Sequence, residues 1–167
     1  YFTGIGRHKR IVFFDTMLAK MTNEQTIAVL AHEIGHLRHG HIWKGFLVST
    51  VFSVLAFGAL AWLQTRVDIF LAFQMLPTPA AILLMASWLA PLVMMPLAPI
   101  FSWRSRKHEF QADHYAINET SADDLGGALL ALYRDNAASV VHDPLYSAYF
   151  HSHPPLSERL AAMAHKG

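Results

Sequence analysis

The chain contains no cysteine among its 167 residues. This absence excludes disulfide bonds and thiolate metal ligands, so any protein ligand for a zinc ion must be histidine or a carboxylate. Charge is also scarce, since Asp, Glu, Lys and Arg make up 15% of the sequence, against about 25% in soluble domains. The formal net charge is only +1, and no basic run is interleaved with aromatic residues. A nucleic-acid-binding function is therefore not predicted.

The scarcity of charge leaves two long uncharged stretches. Residues 45–65 and 69–103 contain no Asp, Glu, Lys or Arg. Because a helix of about 20 apolar residues spans a bilayer, we predict transmembrane helices at 45–65 and 80–102. The alternative is a pair of buried core helices in a soluble protein, which the length of both stretches disfavours. Three prolines leave a kinked or partly re-entrant second segment open; they are Pro91, Pro96 and Pro99.

The N-terminal part combines a predicted β-hairpin with an amphipathic helix. Residues 1–5 and 11–14 indicate two short strands around a turn. Thr22 followed by Gln25 is a capping-box pattern, which predicts a helix beginning after Thr22. Apolar residues then recur at helical spacing and are expected to face a core; they are Ile27, Leu30, Ile34 and Leu37.

After residue 103 the sequence is polar again and predicts three helices. The first covers residues 104–117, and the second begins after Ser121 and runs to residue 136. A loop that contains residues 142–144 follows. The last helix opens at Pro154-Pro155, because proline is tolerated in the first turn of a helix.

His32-Glu33-Ile34-Gly35-His36 is an H-E-x-x-H motif on the first predicted helix. Residues four apart share one helical face, so His32 and His36 can bind a single zinc ion. Glu33 lies close enough to act on a water at the metal without being a ligand itself. We interpret the neighbouring His39 and His41 as interfacial or solvated side chains rather than as ligands.

A third protein ligand completes such a site and leaves the fourth position open for water. With cysteine absent, the choice is among His, Asp and Glu, and Glu109 is the strongest candidate. Asp113 lies four residues later on the same helical face, where it can orient a metal ligand. Ala112 and Ala116 are small enough to let this helix approach the H-E-x-x-H helix closely. Alone, the acidic pair would indicate a solvated face; together with the H-E-x-x-H motif it predicts a metal site.

Five short stretches occur in order along nearly the whole chain: Tyr1–Gly4, Asp15–Thr16, Ala31–His36, Ser105–Asp113 and Ser152–Arg159. With the two apolar stretches between the third and the fourth, this order resembles the type I CAAX prenyl protease family. Members of that family are membrane zinc endopeptidases of the gluzincin type. The heat-shock membrane proteases share the zinc motif but differ in the segment corresponding to residues 4–15, so they are the second candidate.

The resemblance implies roles for three residues. It implies that Glu109 is the third zinc ligand, that Asp113 supports a ligating histidine, and that His153 lies in the active site. From its position alone, before two prolines that open a helix, His153 is either a helix cap or a donor to an oxyanion. The resemblance also implies that further spans precede Tyr1 and that the substrates are prenylated proteins.

We therefore expect a mainly α, integral-membrane, zincin-like metallopeptidase domain over residues 1–167. Two transmembrane helices are inserted between the zinc-ligand helices, and a small β-hairpin lies at the N-terminus. The hairpin and the H-E-x-x-H helix are expected at 1–44. The two spans are expected at 45–65 and 80–102, and the helical part with the third ligand at 104–167.

The expected function is that of a zinc-dependent metalloendopeptidase. Zn²⁺ is held by His32, His36 and Glu109, Glu33 is the general base, and His153 stabilises the oxyanion. The expected partners are a peptide or protein substrate, membrane-associated or prenylated, and the lipid bilayer, with no nucleic acid. The strand at 11–14 either pairs its edge with an extended substrate or is an ordinary hairpin strand.

The distribution of basic residues predicts the orientation in the membrane. The loop between the spans offers only Arg66, balanced by Asp68, whereas the other side carries Arg38, Lys44, Arg104, Arg106 and Lys107. This bias places the catalytic site on the cytoplasmic side, of the inner membrane in a bacterium or of the endoplasmic reticulum in a eukaryote. Two non-enzymatic alternatives stay open. One is a membrane scaffold or transporter component with a structural zinc site, which four protein ligands would normally close; the other is a membrane-anchored binding domain without metal.

Overall fold

The computed structural model describes residues 2–3, 10–12, 15–135 and 143–164. These residues form two short strands and eight helices. The elements are β1 (Phe2–Thr3), β2 (Arg10–Ile11), α1 (Asp15–Leu18), α2 (Asn23–Arg38), α3 (His41–Gln64), α4 (Val67–Ala72), α5 (Pro79–Glu119), α6 (Ala122–Asp135), α7 (Pro144–Phe150) and α8 (Leu156–Ala164). The strands pair antiparallel, with Phe2 opposite Ile11. This pairing agrees with the predicted hairpin, although β2 includes Arg10, which the prediction placed in the turn. Residues 1, 4–9, 13 and 14 of the predicted hairpin lie outside the described residues.

Helix α2 begins where the capping box predicts. The Gln25 backbone N–H donates to Thr22 Oγ1 at 3.2 Å, and the Thr22 N–H donates back to Gln25 Oε1 at 3.1 Å. These two bonds satisfy donors that the first turn of a helix otherwise leaves unpaired. The helix ends at Arg38, and Gly40 follows in the left-handed conformation with φ of 65°.

The buried face of α2 is made of small residues, which corrects the prediction. Ile27 and Ile34, expected to face a core, are 55% and 37% exposed. The buried residues of this helix are instead Ala28, Ala31, His32 and Gly35. Of these four, Ala28 and Ala31 pack into a cluster with residues of α5, α6 and α8: Ala116, Leu125, Leu129, Leu156 and Met163. At Gly35 in particular, a larger side chain would meet the backbone of α5.

The close approach of α2 and α5 is measured at Gly35. A Cβ atom added to this glycine would lie 3.0 Å from Ala112 Cα and 3.1 Å from the Ala112 carbonyl oxygen. Ala112 and Ala116 are both completely buried. The expectation that small residues let these two helices approach is therefore confirmed, and the contact places Glu109 and Asp113 opposite the H-E-x-x-H motif.

Helices α3 and α5 are long and apolar enough to cross a membrane, with mean hydropathy of 2.1 and 2.0 in their most apolar windows. Only 6% and 11% of the residues in those windows are buried, which argues against the alternative of two core helices. The prediction of separate helices at 80–102 and 104–117 is wrong, because α5 continues without interruption from Pro79 to Glu119. Three prolines are accommodated inside it, which membrane helices tolerate.

The chain divides into two compact units: residues 1–41 with 99–167, and residues 42–98. The second unit has its own small core of Leu63, Phe70, Ala81 and Met85, which joins the end of α3, α4 and the start of α5. Helix α4 lies in the segment predicted to be a connecting loop.

The C-terminal helices agree with prediction in two of three cases. Ser121 caps α6, since its Oγ accepts the Asp124 N–H at 3.1 Å, and α8 follows Pro154-Pro155 directly. Helix α7 was not predicted; Asp143 caps it by accepting the N–H groups of Leu145 and Tyr146, each at 2.9 Å. The expected loop at residues 142–144 thus leads directly into a helix, and Asp143 followed by Pro144 is its start signal.

Candidate active site

Three side chains from α2 and α5 bring their ligand atoms to one point. His32 Nε2 lies 3.1 Å from His36 Nε2 and 3.7 Å from Glu109 Oε2. His36 Nε2 lies 3.5 Å from Glu109 Oε1. These three residues form a group of possible metal ligands whose atoms all lie within 4.8 Å of one another.

The spacing of these atoms fits a zinc ion. Tetrahedral zinc with ligand bonds of about 2.05 Å separates its ligand atoms by about 3.3 Å, and the distances of 3.1, 3.7 and 3.5 Å bracket that value. Burial and the neighbouring His32 lower the pKa of His36 to about 4. His36 is therefore neutral at pH 7, the form in which imidazole binds a metal.

Asp113 holds the outer nitrogen of His32. Its Oδ1 lies 2.9 Å from His32 Nδ1, and both side chains are buried. Because a carboxylate only accepts hydrogen bonds, His32 Nδ1 carries the proton and Nε2 presents a lone pair towards the ligand group. This is the carboxylate–histidine arrangement that orients zinc ligands and raises their basicity.

Arg159 was not predicted as a site residue, and it connects both buried carboxylates. Its guanidinium binds Asp113 in a bidentate manner, through Nη2 to Oδ1 and through Nε to Oδ2 at 2.8 Å. Its Nη1 lies 3.6 Å from Glu109 Oε2. A signal was present in the sequence, because Arg159 lies between Leu156 and Met163 on the buried stripe of a short helix. A charged residue on such a stripe is rarely buried unless it is paired.

His153 reaches the site from the segment before α8. Its Nδ1 lies 3.1 Å from Glu109 Oε1, and 70% of its side chain is exposed. The hydrogen bond to Glu109 raises the pKa of His153 above its usual value, against the opposing effect of partial burial. At the start of α8, it is the carbonyl of Pro155 that accepts the first backbone N–H groups, from Glu158 and Arg159.

A second polar network fastens α7 and α8 to α5 beside the site. Arg106 binds Glu158 through Nη2 and donates from Nη1 to Ser147 Oγ at 2.8 Å. Ser102 Oγ donates to the carbonyl of Tyr149 at 3.0 Å. These contacts restrain the segment that carries His153 at the end of α7 and the beginning of α8.

His41 is not a solvated side chain, which corrects that part of its interpretation, and it is not a member of the ligand group of the described residues. It is 6% exposed, and its Nδ1 lies 3.0 Å from His36 Nδ1. Its Nε2 lies 3.0 Å from Gln111 Oε1, and its ring stacks on His108 with centroids 4.0 Å apart. His39, by contrast, is exposed as expected.

Comparison with known proteins identifies a metallopeptidase family, in agreement with the metal-ligand geometry. Residues 1–166 match the sequence profile of Peptidase family M48. The chain belongs to this family. M48 is a family of zinc-dependent metallopeptidases. The ligand group of this M48 chain consists of two histidines and a glutamate, which are residues that bind zinc.

Relatives of this M48 chain carry names of one kind. The chain is 37% identical over 168 residues to CAAX prenyl protease 1 homolog of Arabidopsis thaliana, covering 98% of this chain and 39% of the relative. It is 32% identical over 203 residues to the Homo sapiens homolog, covering 98% and 43%. It is 33% identical over 181 residues to CAAX prenyl protease 1 of Saccharomyces cerevisiae, covering 98% and 40%. The chain thus spans about two fifths of the length of these relatives.

The fold is similar to the crystal structure of S. mikatae Ste24p, with a TM-score of 0.84 at 35% sequence identity, over 98% of this chain and 42% of that chain. The predicted mainly α membrane fold and the resemblance to CAAX prenyl proteases are confirmed. Family membership and the two long apolar helices together identify a membrane protein.

Proposed function

We propose that this chain supplies the catalytic part of a zinc-dependent membrane metalloendopeptidase of the CAAX prenyl protease type. The observation that carries the proposal is the convergence of His32, His36 and Glu109 at separations typical of tetrahedral zinc. Among the described residues the group has three members. Structural zinc sites normally have four protein ligands, whereas catalytic sites keep one position open, so the arrangement favours catalysis over a scaffold role.

In this proposal zinc, when bound, lowers the pKa of a water molecule towards about 7 and polarises the peptide carbonyl. Glu33, half-buried beside both histidines on α2, accepts the proton of the attacking water and returns it to the leaving amine. His153 lies at the exposed edge of the ligand group, where a protonated imidazole can donate to the oxyanion of the tetrahedral intermediate. Asp113 and Arg159 hold the ligands and balance the buried charge.

The substrates proposed are peptides or proteins at the membrane, with prenylated C-terminal tails as the first candidates. This step depends on the names of the relatives, which are CAAX prenyl proteases, and on 98% coverage of this chain by each alignment. The proposal also keeps residues 1–167 as one peptidase domain and places its catalytic side in the cytoplasm, of the bacterial inner membrane or the eukaryotic endoplasmic reticulum, because basic residues flank the spans on the side of the site.

Cleavage profiling tests the proposal. The full-length protein, purified in detergent, is incubated with a peptide library that includes prenylated and unprenylated versions of the same tails. We expect cleavage that stops with a zinc chelator and returns when zinc is added. Glu109→Ala should lose both zinc and cleavage, whereas Glu119→Ala, an exposed glutamate at the end of the same helix, should retain both. Cleavage that resists the chelator, or zinc binding that survives in Glu109→Ala, would contradict the proposed metal site.

A further inference from the structure

A chain of three side chains runs outward from the second zinc-ligand candidate. His36 Nδ1, on the side of the ring opposite the ligand group, lies 3.0 Å from His41 Nδ1. His41 Nε2 lies 3.0 Å from Gln111 Oε1. The H-E-x-x-H helix, the first residue of α3 and the C-terminal part of α5 each contribute one member.

The turn between α2 and α3 brings His41 back onto His36. Gly40 adopts φ of 65°, and its N–H donates to the Leu37 carbonyl at 3.0 Å. This left-handed residue reverses the chain at little steric cost because glycine has no Cβ. His41 is then buried against the face of His108, with the two rings 7° from parallel. Its ring is thus held by packing as well as by hydrogen bonds.

The hydrogen-bonding capacities of these groups permit two arrangements of protons. If the amide oxygen of Gln111 faces His41, then His41 carries its proton on Nε2, its Nδ1 is an acceptor, and His36 Nδ1 must donate. This arrangement leaves a lone pair on His36 Nε2. If the amide is reversed, His41 donates from Nδ1, His36 Nδ1 accepts, and His36 Nε2 carries the proton and cannot bind a metal.

We propose that His41 and Gln111 are positioning residues that hold His36 in the tautomer and ring orientation needed to bind zinc. The inference rests on the proposed zinc site. The uncharged hydrogen-bonded chain from His36 through His41 to Gln111, called the relay here, orients His36 as Asp113 orients His32. Substituting such supporting partners typically weakens metal affinity about 10–100-fold. If the relay holds, zinc affinity depends on the acceptor oxygen at position 111 rather than on the size of that side chain.

Zinc affinity of the full-length protein in detergent, measured by competition with a chromophoric chelator, tests this. We expect Gln111→Met, which is similar in size but has no acceptor oxygen, to weaken zinc binding about tenfold or more. Gln111→Glu keeps an acceptor oxygen and should bind zinc as the parent does. His41→Leu should weaken binding like Gln111→Met, whereas in His41→Asn the amide oxygen can replace Nδ1 and recover part of the affinity.

Two controls distinguish a loss of zinc affinity caused by a misplaced His36 from one caused by a destabilised fold. His114→Leu removes an exposed histidine one turn further along α5 and should leave zinc affinity unchanged. The Tm of the zinc-free variants should stay within a few degrees of the parent. If Gln111→Met bound zinc as tightly as the parent protein, the relay would be excluded and the zinc site itself would stand. Equal losses of affinity and Tm in Gln111→Met and Gln111→Glu would make it a packing contact, and a parent that binds no zinc would overturn the proposed function with it.

Discussion

The Glu109 carboxylate contacts four other side chains of the site. It lies within 3.7 Å of both ligand histidines, 3.1 Å from His153 and 3.6 Å from Arg159. A buried carboxylate is unfavourable unless its charge is paired. Arg159 and His153 provide positive partners to Glu109, so this carboxylate stays ionised in the buried position where it would ligate a metal.

The two roles left open for His153 make different predictions. An oxyanion donor contributes about 10²–10³-fold to turnover, whereas a lost helix cap costs about 1 kcal/mol of stability and leaves chemistry unchanged. Because its ring contacts Glu109 and is mostly exposed, we expect His153→Ala to retain zinc and nearly the full Tm while kcat falls at least about a hundredfold.

Measuring kcat, zinc content and Tm on the same preparation distinguishes these roles. Ser152→Ala is the matched control, since Ser152 is the adjacent exposed residue and should change neither kcat nor Tm. A normal kcat with a lowered Tm in His153→Ala would show that His153 acts as a cap.

At the scale of helices, the site depends on how closely α2 and α5 approach. A Cβ at Gly35 would lie only 3.0 Å from Ala112 Cα and 3.1 Å from Tyr115 Cβ, and overpacking of this kind costs about 1–3 kcal/mol. We expect Gly35→Ala to lower the Tm and to weaken zinc binding, because α5 must move away from α2 and carry Glu109 with it.

Gly58 on α3 provides the matched control for this prediction. No atom lies within 4 Å of a Cβ built there, so Gly58→Ala makes the same chemical change in a helix without the steric conflict. Differential scanning fluorimetry and zinc titration of both variants check the expectation. If Gly35→Ala matched Gly58→Ala in both measurements, the close helix contact would not be what sets the ligand geometry.

Periodicity and local signals predicted some of these elements and failed on others. The capping box at Thr22, the cap at Ser121 and the H-E-x-x-H spacing depend on residues three or four apart, so the sequence contains them directly. The buried face of α2 was assigned to large apolar residues, because a count of hydrophobic spacing does not reveal that the partner helix comes within contact distance at a glycine. The uninterrupted α5 was missed for a related reason, since charge and proline content indicated a boundary that the backbone does not have.

Partners across long sequence separations also had to come from the structure. The spacing of Glu109 and Asp113 suggests that they act together, and in the structure both carboxylates lie beside His32. The sequence does not reveal the roles of Gln111 and Arg159 because their partners are 70 and 46 residues away. His41 is only five residues from His36, but the chain reversal at Gly40 that brings the two rings together has no signal in helical spacing. For Arg159 and Gln111 no local pattern encodes the pairing.

At the scale of the whole molecule, each end of the apolar region carries a tryptophan with a cation four residues later. Arg66 lies over the ring of Trp62 at 5.2 Å, and Lys107 lies over Trp103 at 5.5 Å. Tryptophan and basic residues concentrate at membrane–water interfaces. Along α5 the 28 steps from Pro79 to Lys107 cover about 42 Å, which exceeds the ~30 Å of a hydrocarbon core.

The two-span topology predicts that Asp68 and Lys107 face opposite sides of the membrane. Residues 1–167 contain no cysteine, so Asp68→Cys and Lys107→Cys each add a single labelling site to this part of the protein, and both positions are exposed. The parent protein is labelled in parallel as the background. We expect a membrane-impermeant maleimide to label only Asp68→Cys from the non-cytoplasmic side and only Lys107→Cys from the cytoplasmic side. Both variants should be labelled after detergent solubilisation, and labelling of both from one side of intact membranes would contradict the topology.

In the proposed mechanism Glu33 acts as the general base at the zinc site without being a zinc ligand. Glu33→Gln tests it most directly, because the substitution removes a proton acceptor and leaves size and the three ligands unchanged. Zinc content and kcat are measured on the same preparation of the full-length protein. We predict one zinc ion per chain, as in the parent, with kcat reduced by about 10²–10⁴-fold. Stoichiometric zinc with unimpaired turnover would exclude Glu33 as the general base and contradict the proposed mechanism.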